Sequence, residues 1–405
     1  MLTYEIPAML IGNELKEALT ILPYYDKNIR SRSQSERLIA LNDIYNIYYP
    51  SNMGIEIYSK LYLAYLRAMQ KKNTFIATKQ HYENKKACLS QSYQGLIGGS
   101  DSFTIIGVSG IGKSSAISRA ISLISKDKVI ASDNYKTIPF LVVQTPHDSS
   151  VKSLLLEILR KVDEALFTKY YNDSIRARAT LDMLIGAVSQ VCLNHICVLV
   201  LDEVQNVVNS KNGKTLIGSL VQLINNSGIS VCFIGTPECN NFFEMDFKLA
   251  RRSLGLYYSC LPFDEYFIKL CDIAFSYQYV KHKSEFNYSI AEWLYNHSGG
   301  ITAVVIGLIH DAQEMSILDC SECLGVQSLT KAYNERLRML HKFISEQQKS
   351  IYTPKHIDNN LPSIQNDLLS IDEVLIKTTI DKAKNKSIDV IKYLQEFLTV
   401  EEIPI

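Results

Sequence analysis

The sequence lacks an excess of charge of either sign: Lys plus Arg and Asp plus Glu both number 42 in 405 residues. No global positive field announces nucleic acid, so any basic surface has to be local. No apolar run reaches membrane-spanning length, and the opening MLTYEIPAMLIGNELKEAL carries Glu5 and Glu14 where a secretory leader has basic residues. The expectation is a soluble cytoplasmic protein with no membrane partner. Internal repeats and low-complexity blocks are missing too, which excludes a solenoid. The nine cysteines are an odd number, and several (Cys192, Cys197, Cys232, Cys260) sit in apolar stretches, as reduced core residues do. Cys320-x-x-Cys323 has no second pair or histidine cluster near it and reads as two helix-face residues rather than a metal site.

What is present starts with 47% hydrophobic side chains, enough for one large or two to three small domains. The most informative stretch is Phe103 to Ser115, FTIIGVSGIGKSS. Gly107, Gly112, Lys113 and Ser114 fit G-x-x-x-x-G-K-[ST], with an apolar strand-like run before them and helical spacing of small and apolar residues after. Such a loop turns backbone N–H groups onto phosphate oxygens, hence Gly110 and Gly112, and adds the positive end of a helix. The candidate nucleotide contacts are Gly107, Ser109, Gly110, Ile111, Gly112, Lys113, Ser114 and Ser115. Lys113 would serve the β- and γ-phosphates and the Ser114 hydroxyl Mg²⁺.

From Phe103 onward strands and helices alternate, the pattern of an α/β layer with a mainly parallel sheet. Strands are expected at 103–107, 139–145, 198–202, 231–235 and 256–261, and helices at 114–125, 149–170, 175–194 and 216–225. Asp148 or Ser149 is the expected cap of the helix whose buried stripe is Val151, Leu155, Ile158, Leu159, Val162 and Leu166. Residues 1–100 read as helical: a helix over 31–44, a Tyr-rich piece over 44–49 closed by Pro50, and an apolar face of Ile55, Tyr58, Leu61, Tyr62, Tyr65 and Leu66. Lys71, Lys72, Lys79, Lys85 and Lys86 then form a basic cluster, read as a solvated face, with contact to a nucleic-acid backbone as the alternative. After the core at 101–262 the chain turns all-helical, with helices at 266–279, 289–296, 301–315 and 329–345 and a stop at Ser298-Gly299-Gly300, as a lid over 263–349. No basic residue stands at the start of the 301–315 helix, so no nucleotide-sensing arginine is expected there. Residues 350–405 read as a Pro- and Asn-containing linker and a partner-docking tail.

Val198-Leu-Val-Leu-Asp202-Glu203 is a buried strand ending in two carboxylates. Beside a phosphate loop, Asp202 can hold Mg²⁺ with Ser114, and Glu203 can polarise an attacking water. The next strand ends in Thr236, a hydroxyl within reach of that water or of a γ-phosphate. Arg251 or Arg252 can serve a neighbouring subunit's γ-phosphate as an arginine finger.

Phosphate loop, Asp-Glu strand end, polar strand tip, late Arg pair and helical lid, in that order, resemble an AAA+ ATPase, which implies a three-layer P-loop domain with a mainly parallel five-stranded sheet. Gln144-Thr-Pro-His-Asp-Ser-Ser-Val-Lys152, Leu201-Asp-Glu-Val-Gln-Asn206, Phe233-Ile-Gly-Thr-Pro237, Ala250-Arg-Arg252, and Gly299-Gly-Ile-Thr with Ala312-Gln313 further resemble the TnsC/TniB family of bacterial transposition regulators. That resemblance implies an ATPase using ATP and Mg²⁺ as an assembly switch, with Lys113, Ser114, Asp202, Glu203 and Thr236 at the nucleotide and Arg251 or Arg252 acting in trans. It implies a homo-oligomeric ring or filament on double-stranded DNA, gripped by Lys169, Arg176, Arg178 and Thr180. Its partners would be a TniQ/TnsD-like target-selection protein and TnsA/TnsB-like transposase subunits. A STAND-like signalling NTPase and a helicase loader or initiator stay open as alternatives.

Overall fold

The computed structural model describes residues 6–72, 102–132, 135–146, 150–208, 229–240, 243 and 255–345, all within the compact unit Met1–Gln348. The expected helix at 216–225, Arg251 and Arg252, most of the basic cluster after 72, and the linker and tail lie outside the described residues.

The strands are β1 (Phe103–Gly107), β2 (Ile130–Ser132), β3 (Tyr135–Gln144), β4 (Ile196–Asp202), β5 (Ser230–Gly235) and β6 (Leu256–Tyr258). They form one sheet in the order β2-β3-β4-β5-β1-β6. Five strands run parallel, and β2 adds an antiparallel edge paired to β3 through Ile130–Thr137, Ala131–Lys136 and Ser132–Tyr135. All five expected strands are present, and among the described residues the edge strand β2 brings the count to six. A three-residue strand is too short to show a period of two in sequence. The β4 run is apolar from Ile196 to Leu201 because both of its faces are covered.

One face of the sheet is covered by α4 (Lys113–Ile124) together with α1 (Gly12–Leu19) and α3 (Asn52–Lys72). Their Leu15, Leu19, Ile57, Leu61, Tyr65 and Ile117 pack with Ile105, Val198, Val200, Cys232 and Ile234. The guanidinium of Arg119 on α4 donates to the carbonyls of Ala18 and Leu19 at 2.8 and 3.0 Å, fastening α1. The other face packs under α5 (Val151–Leu166) and α7 (Leu181–His195), where Leu199, Leu201 and Phe233 meet Ile158, Leu159 and Val188. The alternation of Val198 and Val200 with Leu199 and Leu201 is the strand's two-residue period. All six expected stripe residues of α5 are buried. Its cap is Ser150, whose Oγ accepts from the Ser153 N–H at 3.0 Å, one residue later than expected.

The expected single helix over 175–194 is two: α6 (Tyr170–Arg176) and α7. Arg178 takes φ +49°, outside helical geometry, and the Thr180 hydroxyl accepts from the Met183 N–H to start α7 afresh. The N-terminal helix expected over 31–44 is the shorter α2 (Gln34–Leu41), with a capping box between Ser33 and Glu36.

The short α8 (Gln205–Val208) follows β4, and beyond β6 come α9 (Glu265–Ser276), α10 (Tyr288–Ser298), α11 (Thr302–Leu318) and α12 (Val326–Glu335). The helix expected over 329–345 is interrupted: α12 ends at Glu335 and helical geometry resumes over 341–345, with the His341 ring stacked on Tyr333, centroids 3.9 Å apart. Helix α11 is buried nearly all round, and its Gln313 is fully satisfied: Oε1 accepts from the Tyr279 N–H at 2.7 Å and Nε2 donates to the Tyr277 carbonyl at 3.0 Å. Leu41 and Ile44 belong to this helical core. The N-terminal residues between α1 and α3 are therefore built into it, stitched by Gln34 Nε2 on the Ile317 carbonyl (2.7 Å) and Tyr277 OH on the Pro23 carbonyl (2.9 Å). The strongest tie is Arg37, 1% exposed, which donates to both carboxylate oxygens of Glu322 at 2.6 and 2.7 Å and to the Tyr279 carbonyl at 3.0 Å.

The eight described cysteines are free, six of them buried as expected. Cys320 and Cys323 are exposed in the loop between α11 and α12 instead of on a helix face; Cys320 has φ +62°, which ends the helix. Among the described residues no three His, Cys, Asp or Glu side chains cluster as a metal cage, and no single helix is long and apolar enough to cross a membrane.

Candidate functional site

In a parallel sheet the loops at the carboxyl ends of the strands face the same way, so β1, β4 and β5 deliver their terminal residues to one place. Here they line a cleft of about 380 Å³ bounded by Ser109–Ser115, Asp202, Glu203, Gln205, Gly235 and Thr236. The loop after β1 has the two left-handed glycines that the spacing predicted, Gly110 at φ +82° and Gly112 at φ +93°. Gly110 is also sterically fixed, since a Cβ there would lie 2.9 Å from the Ile301 side chain, and its carbonyl accepts from the Ala303 N–H at 2.9 Å. The start of α11 thus rests on the phosphate loop.

Lys113 opens α4 and turns back into the loop, donating to the carbonyls of Gly107 and Val108 at 2.6 and 2.9 Å. Burial pulls its ammonium below the usual lysine range, while the Glu203 and Asp202 carboxylates pull the other way. Ser114 Oγ lies 3.4 Å from Asp202 Oδ2, so a hydroxyl and a carboxylate oxygen stand side by side, the hard donor set that suits Mg²⁺ completed by water and phosphate. Asp202 is only 9% exposed, and its Oδ1 accepts from the Glu203 N–H at 2.8 Å.

Glu203 itself is exposed and takes φ +57°. For a residue with a β-carbon this costs roughly 1–3 kcal/mol, and such strain is tolerated where the surroundings over-determine it. The surroundings here are Gln205, whose Nε2 donates to Glu203 Oε2, and the Asn206 N–H, which donates to the Glu203 carbonyl at 3.0 Å. Thr236 is in the cleft at the tip of β5; its hydroxyl is buried with no hydrogen-bond partner among the described residues, and its N–H donates to Gln205 Oε1 at 3.3 Å.

The glycine-rich loop, Lys113, Ser114, Asp202, Glu203 and Thr236 are thereby brought together. Residues 97–243 match the family model described as an AAA domain. The fold is the AAA+ P-loop fold. Similar solved structures include the ORC2 protein of Aeropyrum pernix in ADPNP and ADP complexes, 16% identical over 79% of this chain and 77% of that one with a TM-score of 0.41. They also include the ORC1 protein of Aeropyrum pernix in complex with DNA, at 14% identity, 78% and 76% coverage and a TM-score of 0.39. A structure of katanin self-assembly aligns at 16% identity, 81% and 92% coverage and a TM-score of 0.37. No curated protein matches the chain.

The far end of the AAA+ cleft is made by residues that sequence reasoning did not assign to the site. Tyr45, Ile47, Tyr48 and Tyr49 from the N-terminal piece face Tyr266, Leu270 and Ile306 from the helical part. Tyr49 and Tyr266 stack at 5.5 Å with their planes 13° apart, and Tyr266 OH donates to the Tyr49 carbonyl at 2.8 Å. Burial pushes the Tyr48 phenol up to about 12. Gln205 is the other missed residue; its signal was its place in the Leu201-Asp-Glu-Val-Gln-Asn206 string.

Lys169, Arg176, Arg178 and Thr180 all lie exposed around α6 and the turn into α7, away from the cleft lining. Thr180 is engaged as the cap of α7.

Proposed function

We propose that this protein is an ATP-hydrolysing AAA+ switch that oligomerises on double-stranded DNA, of the transposition-regulator type, linking a TniQ/TnsD-like target-selection protein to TnsA/TnsB-like transposase subunits. The observation that carries the ATPase reading is the convergence of Lys113, Ser114, Asp202, Glu203 and Thr236 on one cleft whose other end is apolar and aromatic. The loop N–H groups and Lys113 bind the phosphates, for which Lys113 exchanges the two loop carbonyls it now holds. Ser114 and Asp202 would hold Mg²⁺, which neutralises charge on the β- and γ-phosphate oxygens. Glu203 orients and deprotonates the attacking water, and the Thr236 hydroxyl, which has no partner among the described residues, bonds that water or the γ-phosphate. The tyrosine-lined end takes the base.

The DNA-binding part rests on the motif strings and on the exposed Lys169, Arg176 and Arg178, which suit phosphate contacts without base reading. Arg251 or Arg252 would complete a neighbour's site and make assembly depend on the γ-phosphate. Negative-stain imaging with duplex DNA and an ATP analogue, ADP or no nucleotide tests this. Rings or filaments are expected only with DNA and the analogue. Monomers under every condition, with nucleotide bound, would refute the DNA role and favour a signalling NTPase, whereas preference for single-stranded DNA would favour a loader or initiator.

A further inference from the structure

Gln205 has no role in the chemistry so far assigned, yet all three of its side-chain partners belong to the site or to the turn beneath it. Its Nε2 donates to Glu203 Oε2, while its Oε1 accepts from the Thr236 N–H at 3.3 Å and receives the Cys239 thiol at 3.9 Å. Burial pushes the Cys239 thiol up to about 12, so it keeps its proton and can donate. The end of β5 is shaped to receive the amide: a Cβ at Gly235 would stand 3.1 Å from Gln205 Oε1 and 2.5 Å from Cys239 Sγ. The Glu203 backbone is meanwhile held by the Asp202 carboxylate at its N–H and by the Asn206 N–H at its carbonyl. That leaves the direction of the Glu203 side chain to be set, and the Gln205 amide sets it.

We propose that Gln205 is a positioning residue for the hydrolytic reaction, an amide brace that ties the Glu203 carboxylate to the Thr236 tip of β5. It occupies Oε2 of the carboxylate and leaves Oε1 to the water, and it makes the aim of Glu203 follow the position of the strand tip that is proposed to sense the γ-phosphate. A primary amide suits this place because it donates to a carboxylate and accepts from a backbone N–H at the same time; a carboxylate or an apolar side chain of equal length cannot do both. The inference rests on the ATPase reading of the same site.

The test uses the full chain with Gln205→Met, which keeps the length and removes all three hydrogen bonds, measured alone and in the Glu203→Gln background. Turnover is expected to fall about tenfold in Gln205→Met, with KM and nucleotide affinity within about twofold of the parent, because only the aim of the base is lost. In the Glu203→Gln background the same substitution is expected to cost nothing further, since a brace without its carboxylate has nothing to aim. Unchanged turnover in Gln205→Met, a full additive loss in the double variant, or a parallel loss of affinity would each overturn the proposal. A readout independent of turnover separates it from the ATPase reading: the Gln205 side-chain amide resonances should shift on Glu203→Ala in the nucleotide-free protein. An inactive parent chain would sink the ATPase reading, and resonances indifferent to Glu203→Ala would sink the brace whatever the activity.

Discussion

The two ends of the cleft are built on opposite plans. At the phosphate end the groups come from the tips of parallel strands and the turns and helix start that follow them, and Ser109 through Ser115 line the cleft as one unbroken stretch. At the aromatic end, Tyr45, Tyr48 and Tyr49 come from the N-terminal piece and Tyr266, Leu270 and Ile306 from helices more than two hundred residues later. Phosphate recognition demands specific backbone dihedrals and donors at fixed spacing, which only a contiguous motif can provide. A face for a planar base demands apolar area and stacking, which any packed aromatic side chains can provide. The first plan is rigid because the sheet is rigid, and the second holds only while the N-terminal piece stays attached to the helices.

That attachment is the place where the comparison breaks most easily. Removing one partner of a buried, bidentate ion pair leaves the other charge uncompensated, at a cost of about 3–5 kcal/mol. Glu322→Ala should therefore lower stability by that amount in urea denaturation and loosen the aromatic end, while Phe103–Ser115 stays packed on the sheet. Hydrogen exchange would localise the loss, and uniform deprotection of the sheet would deny that the two ends are held separately. The Arg37 guanidinium holds the Glu322 carboxyl below the usual carboxylate range. A depressed folded-state value contributes stability that is present above the unfolded value of about 4.3 and lost as pH falls through the folded one. The parent chain should thus lose stability below about pH 4.3 more steeply than Glu322→Gln.

A smaller effect sharpens the same comparison. Tyr266→Ala removes one stacking ring and its hydrogen bond to Tyr49, and should weaken nucleotide binding about five- to tenfold, or about 1–1.5 kcal/mol, with little change in turnover at saturation. If inorganic phosphate or pyrophosphate loses affinity equally, Tyr266 is not at the base end.

The same contrast explains what could be read from the sequence. The phosphate loop, the Asp202-Glu203 strand end and Thr236 were legible because chemistry fixes their spacing, and the inner parallel strands because buried strands are continuous apolar runs. Strand β2 was not, because three residues carry no period, and neither was the break at Arg178, which a single left-handed residue makes. The tyrosines near Pro50 were visible as a Tyr-rich piece. Their place in the cleft depends on Leu41, Ile44 and Arg37 docking into a core formed far downstream, and no local pattern encodes such a contact.

The central claim is that the phosphate end binds ATP through Lys113 and cleaves it through Glu203. The most direct measurement is nucleotide affinity and steady-state turnover for the parent chain, Lys113→Ala and Glu203→Gln under the same conditions. Lys113→Ala should lose about 100-fold in affinity, the worth of a charged hydrogen-bonding group at about 3 kcal/mol. Glu203→Gln should bind as the parent does and turn over about 10²- to 10⁴-fold more slowly. Undiminished turnover in Glu203→Gln, or undiminished affinity in Lys113→Ala, would contradict it.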